Sequence, residues 1–240
     1  MSSVSDHYQN HIAPVYSWMC GDLTTRTNEF RSLIESLNLS LSNKIAIDLG
    51  CAHGIQSIAL ASSGFQVTAV DNNRQLLEEL RVNKGKLNIK IVEEDIREVL
   101  KFNDLNPDLI VCAGDTLTHL ENYNEIERFL ENCCEVLQPG GFLFLSFRDY
   151  SNKLSGDARF IPVRSDADRI MTCFLEFTPT QVHVTDLIHD RQGESWTQKV
   201  HSYFKFRIAD SEVKDILESC KMAIHSEQTE RGMITIVAQK

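Results

Sequence analysis

The sequence contains no pair of cysteines at C-x-x-C spacing, and its seven cysteines are an odd number in 240 residues. Without such pairs the common structural zinc motifs are excluded, so we predict no metal site. The odd count argues against a framework of disulfides and is typical of a protein from a reducing compartment.

The sequence also lacks an apolar run longer than a strand, and it lacks a cluster of basic residues. The short runs predict no membrane-spanning helix, and the polar N-terminal segment is unlike a signal peptide, so we expect a cytoplasmic protein. Lysine and arginine are scattered through a chain of net charge −10. The basic stripe of a nucleic-acid-binding surface is therefore missing, and no nucleic acid is expected as a partner.

What is present is a globular composition, with 42% hydrophobic and 24% charged residues. Apolar segments alternate with amphipathic helical patterns over the first 150 residues, which is typical of a parallel sheet covered by helices on both faces. The predicted strands lie at 45–49, 66–70, 89–92, 108–113 and 142–147. The expected fold class is therefore α/β, a Rossmann-like doubly wound sheet.

The pattern changes near residue 151, where β-rich runs follow one another without intervening helices. We predict a cofactor-binding core with an N-terminal arm at 1–150 and a small antiparallel β insert at 151–208. Residues 209–240 then complete a seven-stranded, mostly parallel sheet. They comprise a helix with Asp210 or Ser211 as N-cap and two further strands.

The most informative segment is the small-residue turn that follows the first strand. It contains Asp48, Gly50, Ala52 and Gly54, and a second acid, Asp71, ends the second strand. In a βαβ unit such a turn lets the backbone approach a nucleoside, while the acid accepts hydrogen bonds from ribose hydroxyls. The sequence therefore predicts an adenosine-containing cofactor.

The position of Asp48 helps to choose among such cofactors. A carboxylate two residues before Gly50 would repel the pyrophosphate of a dinucleotide, whereas it suits a cationic or zwitterionic ligand. The turn also departs from the complete G-x-G-x-x-G pattern. Both observations favour S-adenosylmethionine, with its amino group and sulfonium, over NAD, although an NAD enzyme remains the alternative within the fold.

Several motifs in the same order resemble those of class I S-adenosylmethionine-dependent methyltransferases. They are D-x-G-x-A-x-G at 48–54, V-D at 70–71, E-E-D at 93–95 and L-x-P-G-G at 137–141. A closer resemblance, to glycine and sarcosine N-methyltransferases, runs without gaps through about 18–71. It continues at 113–120, 147–150 and 205–208.

The resemblance implies roles for individual residues. Arg26 would bind the methionyl carboxylate, Asp71 the ribose hydroxyls, and Asp95 with Ile96 the adenine. The cofactor-binding set implied in this way is Tyr16, Arg26, Asp48, Gly50, Gly54, Asp71, Asn72, Asp95, Ile96 and Ala113.

Four further residues are candidates for the reaction itself. Tyr8 matches a tyrosine that reaches the reacting centre from the N-terminal arm, and Arg148 would hold a substrate carboxylate through its bidentate fork. His119 follows the fourth strand and is a candidate lining residue. Asp115 stands where the family has asparagine, so it would stabilise a cation or accept a proton.

These observations predict a small-molecule methyltransferase in which a neutral nucleophile attacks the sulfonium methyl group in line. Alignment and water exclusion would supply most of the acceleration, with the N-terminal arm and the insert as the lid. The leading acceptor is an amine such as glycine or sarcosine, because of Arg148; an Arg148 that points to solvent would remove that basis.

Other interpretations stay open. Asp115, and the absence of the family's insert tyrosine near Pro162, favour another acceptor: a sugar amine, a hydroxyl or a thiol. A non-catalytic module that binds S-adenosylmethionine is the rival of a different class. The sequence is also compatible with a homo-oligomer.

Overall fold

The computed structural model describes residues 4–240 and contains two β-sheets. The strands are β1 (Ile45–Leu49), β2 (Gln66–Asp71), β3 (Ile89–Glu93), β4 (Leu109–Cys112), β5 (Phe142–Arg148), β6 (Phe160–Ser165), β7 (Arg169–Phe177), β8 (Gln181–Gln192), β9 (Ser195–Phe206), β10 (Ala223–Glu230) and β11 (Met233–Gln239).

The larger sheet has seven strands in the order β10-β11-β5-β4-β1-β2-β3. Strands β1 to β5 are mutually parallel where they pair, and β11 runs antiparallel to both β5 and β10. The fold class predicted from the sequence is thereby confirmed. The strand order reverses between β1 and β4, and ligands of open α/β sheets bind at the carboxyl ends of strands at such a switch point.

Helices cover both faces of this sheet. The α-helices of the described residues are α1 (Val4–His7), α2 (Tyr16–Cys20), α3 (Leu23–Ser36), α4 (Ile55–Ser62), α5 (Arg74–Asn83), α6 (Tyr123–Val136) and α7 (Asp210–Ser219), of which α3 to α7 pack on the large sheet. Helices α3, α4 and α5 contribute to one buried apolar cluster, and α6 and α7 to the other. Strand β4 is wholly buried between them, which explains its continuous apolar sequence.

Side-chain caps fix where several helices begin. Asp22, Asn73 and Asn122 each accept a hydrogen bond from a backbone N–H in the first turn of α3, α5 and α6. The prediction of Asp210 or Ser211 as N-cap of α7 was wrong. Ala209 occupies that position, and the Glu212 side chain accepts a hydrogen bond from its backbone N–H at 2.8 Å, which fixes the start of the helix. The 3₁₀ segment Ile96–Leu105 was not predicted at all.

The smaller sheet is antiparallel, in the order β6-β7-β8-β9, and packs against the N-terminal arm, here residues 4–20. Ile12 and Val15 of the arm are buried with Met171 of β7 and Ile188 of β8. The arm thus lies between the small sheet and the end of the large one. In the part of the chain that the structure describes, no helix is long and apolar enough to cross a membrane.

Candidate active site

A cavity of about 500 Å³ opens at the carboxyl ends of the parallel strands, where the strand order reverses. Its wall combines the turn after β1, the ends of β2 and β3, the segment after β4, the N-terminal arm and strand β9. The lining residues are Tyr8, Tyr16, Gly50, Ala52, Asp71, Asn72, Asp95, Ile96, Arg97, Gly114, Thr116, His119, Leu120, Glu121, Asn122, Glu125, Gln181, Phe204 and Phe206.

Backbone forms the part of the wall that follows β1. Gly50 has φ +76° and donates its N–H to the carbonyl of Val70 at 2.8 Å, so the turn is held against β2. A Cβ added to Gly50 would lie 2.6 Å from Thr116 Cγ2. Only glycine combines this left-handed backbone with so close an approach to a neighbouring side chain.

We expect Gly50→Ala to lower the free energy of unfolding by about 1–3 kcal/mol, through backbone strain and the clash with Thr116. Gly114→Ala is the matched control, because Gly114 also lines the cavity with positive φ but has no atom within 4 Å of an added Cβ. Urea denaturation measures both variants. A Gly114 variant that loses as much stability as the Gly50 variant would contradict the role of Thr116.

Asp71 forms the polar floor of the cavity at the end of β2. Its carboxylate accepts hydrogen bonds from the backbone N–H groups of Ala52 and Asn73, each at 2.8 Å. Burial raises the pKa of this carboxyl above its ordinary value, although these bonds oppose the rise. The two oxygens keep further lone pairs for a ligand, because each carboxylate oxygen can accept more than one hydrogen bond.

Asp95 also lines the cavity, as the N-cap of the 3₁₀ segment after β3. It accepts from the Arg97 backbone at 2.9 Å and forms an ion pair with that side chain at 2.6 Å. Burial opposes ionisation of Asp95, but the bonds from Arg97 outweigh it and hold its pKa below the ordinary value.

A buried ion pair lies behind the cavity, between Asp115 and Lys205 of β9. Asp115 also accepts hydrogen bonds from the Tyr150 hydroxyl, the Thr118 hydroxyl and the Arg148 backbone N–H, all at 2.9 Å. Burial raises the pKa of Asp115, yet the charge of Lys205 and these bonds more than offset it and hold the pKa below 3.8. The Asp115 carboxylate is therefore ionised and fully hydrogen-bonded.

Tyr8 and His119 close the cavity from two elements distant in sequence. The Tyr8 hydroxyl lies 3.1 Å from His119 Nε2, and the His119 ring stacks on Tyr203 with centroids 5.7 Å apart. Burial lowers the pKa of His119 to about 3, and the charge of Lys205 adds to this effect. His119 is therefore neutral at physiological pH and can accept or donate a hydrogen bond.

The cavity wall brings together eight of the residues predicted from the sequence: Tyr8, Tyr16, Gly50, Asp71, Asn72, Asp95, Ile96 and His119. Asp115 lies just behind this wall. Ala113 is buried beside the lining residue Gly114, and its carbonyl accepts from the Thr116 hydroxyl.

Four other predicted residues lie off the wall: Asp48, Gly54, Arg26 and Arg148. Asp48 is buried beneath the turn against the Ser57 hydroxyl, and burial raises its pKa to about 7. Gly54 is the N-cap of α4 and faces Leu80.

The two predicted arginines are both exposed. Arg26 forms an ion pair with Glu29 at 3.0 Å and donates to the carbonyl of Cys20. The Arg148 side chain is exposed at the end of β5. Burial raises the pKa of Tyr150 and of Cys173, and the charge of Arg148 opposes both rises. Arg148 is therefore near Cys173 of β7, on the side of the small sheet.

Sequence reasoning missed Lys205, Tyr150, Arg97, Glu121, Glu125 and the two phenylalanines of β9. Lys205 and Tyr150 stood within the matched segments 205–208 and 147–150, so a signal was present. Phe206 stood within 205–208 as well, but nothing in the local pattern indicated Phe204, because strand β9 reaches the cavity only through the packing of the small sheet on the large one.

The chain is similar in sequence to known methyltransferases. A model of the methyltransferase domain matches residues 46–141. The chain is 32% identical to cypemycin N-terminal methyltransferase of Streptomyces sp over 134 residues, which is 55% of this chain and 54% of that protein. It is 26% identical to glycine N-methyltransferase of Oryctolagus cuniculus over 225 residues, 85% of this chain and 76% of that one.

Solved structures share the whole fold at low identity. The CcbJ methyltransferase from Streptomyces caelestis superposes with a TM-score of 0.79 at 16% identity, covering 96% of both chains. CalS10, an amino pentose methyltransferase from Micromonospora echinaspora with bound S-adenosylmethionine, has a TM-score of 0.71 at 14% identity, covering 91% and 92%. The family model, the relatives and the solved structures together support a class I S-adenosylmethionine-dependent methyltransferase, with its cavity at the switch point of the sheet.

Proposed function

We propose that this enzyme methylates an amine of a small molecule that carries no carboxylate beside the amine. The charge of the cavity wall supports this proposal. Asp71, Asp95, Glu121 and Glu125 contribute carboxylates, whereas Arg97 is the one cationic side chain among the lining residues of the described chain. Arg97 is already bound to Asp95 at 2.6 Å and lies 3.5 Å from Glu125. The wall therefore attracts an aminium and repels an anion.

The residues of the wall fit the cofactor. S-adenosylmethionine supplies an electrophilic methyl group on its sulfonium. Asp71 would accept hydrogen bonds from its ribose hydroxyls, Gly50 would let it approach the backbone, and Asp95 would accept from the exocyclic amine of its adenine. Arg26 would bind the methionyl carboxylate in place of Glu29. Loss of the ion pair with Glu29 would cost little free energy, because that pair is exposed.

The acceptor would lie between the turn and strand β9. With Asp71 and Asp95 directed to the cofactor, Glu121 and Glu125 remain for a cationic acceptor. Phe204 and Phe206 offer apolar surface and Gln181 an amide. An amine must lose its proton before it attacks, and Asp115 is not available to take that proton, since its carboxylate is bound by Lys205. The arm's contribution is to align the acceptor and exclude water, with Tyr8 and His119 as neutral hydrogen-bonding groups.

Glycine or sarcosine is the second candidate. The match to glycine N-methyltransferase over 85% of the chain supports it, as does the cationic Arg148 on the side of the small sheet. Against it, Arg148 is exposed and does not line the cavity. A carboxylate-bearing acceptor would therefore require the guanidinium to move onto the wall.

The test is methyl transfer from labelled S-adenosylmethionine to a panel that pairs amino sugars and simple amines with glycine and sarcosine. We expect turnover of amines without a carboxylate, and a change of less than about threefold in kcat/KM in Arg148→Ala. Glu121→Gln/Glu125→Gln should raise KM for the amine about tenfold. Turnover of glycine that is lost in Arg148→Ala would overturn the acceptor assignment. Binding of S-adenosylmethionine without turnover of any member would favour a non-catalytic module.

A further inference from the structure

Three histidines and a buried aspartate gather where the N-terminal arm meets the small sheet. His7 and His11 belong to the arm, Asp186 to β8 and His201 to β9. His7 is completely buried and Asp186 is 2% exposed. The reaction proposed above uses none of these groups.

Close contacts connect the four residues. His7 Nε2 lies 3.0 Å from Asp186 Oδ2, and His7 Nδ1 lies 2.7 Å from His201 Nδ1. The ring of His7 also stacks on Tyr203, with centroids 4.0 Å apart. His11 completes the group, 5.3 Å from the ring centroids of both His7 and His201. The orientation of the His7 side chain is therefore held by residues of the small sheet.

The residue after His7 reaches the cavity. Tyr8 lines it and contacts His119 at 3.1 Å, and Tyr16 of the same arm lines it too. Because Tyr8 is the chain neighbour of His7, the contact between His7 and Asp186 fixes where the tyrosine can lie. Detachment of the arm would open the cavity to water.

We propose that His7 and Asp186 are positioning residues that latch the N-terminal arm over the cavity, and that protonation of His7 and His11 releases the arm. The importance of this latch for catalysis rests on the proposed function, whereas the release of the arm does not.

Charged and titratable groups face this cluster from every element packed against it. Asp186 favours protonation of His7 and His11, whereas Lys205 opposes protonation of His7 and Lys199 that of His11. The groups are Asp6 and Tyr8 of the arm, His119 after β4, Cys173 of β7, Asp186 of β8, and Lys199, His201, Tyr203 and Lys205 of β9. Cys173 donates its thiol to Asp186 Oδ1 at 2.7 Å, so part of the carboxylate is already engaged.

Burial decides the balance for both arm histidines. It is the largest cause that lowers the pKa of His7 below 6.5, and it lowers that of His11 to about 4. In a detached arm both imidazoles would titrate near the ordinary 6.5. Closure is thus unaffected by pH above 6.5, and it is lost progressively as the pH falls from there toward 4. The open-to-closed ratio then rises up to about tenfold per pH unit for each imidazole.

Trp18 gives a direct readout of the arm. Its indole lies under Arg164 and Arg169 of the small sheet, and its Nε1 donates to Asp166 at 2.5 Å. Trp196 is the second of two tryptophans, so Trp196→Phe isolates the signal. Acrylamide quenching of Trp18 in the whole protein, with S-adenosylhomocysteine present and absent, measures opening without any turnover.

We expect quenching to increase about threefold from about pH 7.5 to about pH 4.5, with far-UV circular dichroism unchanged. In His7→Gln/His11→Gln, which keeps polar side chains but cannot be protonated, this increase should be lost. Asp186→Asn should raise the open fraction about tenfold at neutral pH, because a charged partner is removed. Glu176→Gln is the matched control, since Glu176 binds His183 on the exposed part of the same sheet.

Two results would overturn the latch: quenching of the parent protein that does not vary with pH, or an equal increase in the double glutamine variant. Failure of the proposed function would be seen separately, as absence of turnover with a normal quenching profile. If the protein turns over an amine, the drop in kcat/KM below pH 6.5 should be shallower in the double variant than in the parent.

Discussion

Lys205→Met is expected to lower the free energy of unfolding by about 3–5 kcal/mol, because it leaves the buried carboxylate of Asp115 without its cation. Lys205 is 8% and Asp115 3% exposed, so water cannot take over the role of the lysine. Urea denaturation at neutral pH measures the loss.

The matched control is the double variant Asp115→Asn/Lys205→Met, which removes both charges. It should recover most of the stability, to within about 1–2 kcal/mol of the parent, because no uncompensated charge remains in the interior. A double variant as unstable as the single one would show that the pair acts through packing rather than charge.

The contribution of Asp115 to the free energy of unfolding should depend on pH with opposite signs in the parent and in Lys205→Met. In the parent, Lys205 holds the pKa of Asp115 below 3.8, so its contribution to stability is present above that pH and is lost as the pH falls through the folded-state value. Without the lysine, burial raises the pKa of Asp115. The difference in the free energy of unfolding between the parent and Lys205→Met should therefore be smallest at acid pH.

Asp71→Asn is expected to weaken binding of S-adenosylhomocysteine by at least about 100-fold. The asparagine has one acceptor oxygen where the aspartate has two for the ribose hydroxyls, and its amide hydrogen would face the backbone N–H of Ala52. Calorimetric titration measures the dissociation constant. Glu79→Gln serves as control: Glu79 lies outside the cavity wall and binds Ser17 of the arm.

The aspartate also supports the turn through Ala52 and Asn73, so the stability of the free variant needs measuring too. A variant that folds as stably as the parent and still binds the product tightly would contradict the assignment of Asp71 to the ribose.

The sequence was a good guide where local pattern and burial coincide. The continuous apolar run within 108–113 predicted a buried strand, which the structure has at Leu109–Cys112, and Asp48 and Asp71 lie at the carboxyl ends of the neighbouring strands β1 and β2. The predicted bounds of β1 agree with the structure, and those of β2 and β5 differ by one residue at the carboxyl end.

It was a poorer guide where position depends on contacts between distant segments. Arg148 stands in a motif that resembles a carboxylate-binding one, yet its exposure follows from how β5 ends beside the small sheet. Asp115 was expected to stabilise a cation or accept a proton in the reaction, because no spacing rule relates it to its partner Lys205, 90 residues later. Likewise, the cluster of His7 with Asp186 exists only once the arm is packed.

Strand β9 separates two tasks by the alternation of its side chains. Phe204 and Phe206 line the cavity, while Tyr203 and Lys205 are buried against the arm and Asp115. Mutations at 204 and 206 therefore reshape the cavity wall without removing the ion pair or the stacked histidine. If the acceptor lies against β9 as proposed, substitution of Phe204 or Phe206 should change which acceptor is methylated, while the buried face of the strand keeps its contacts.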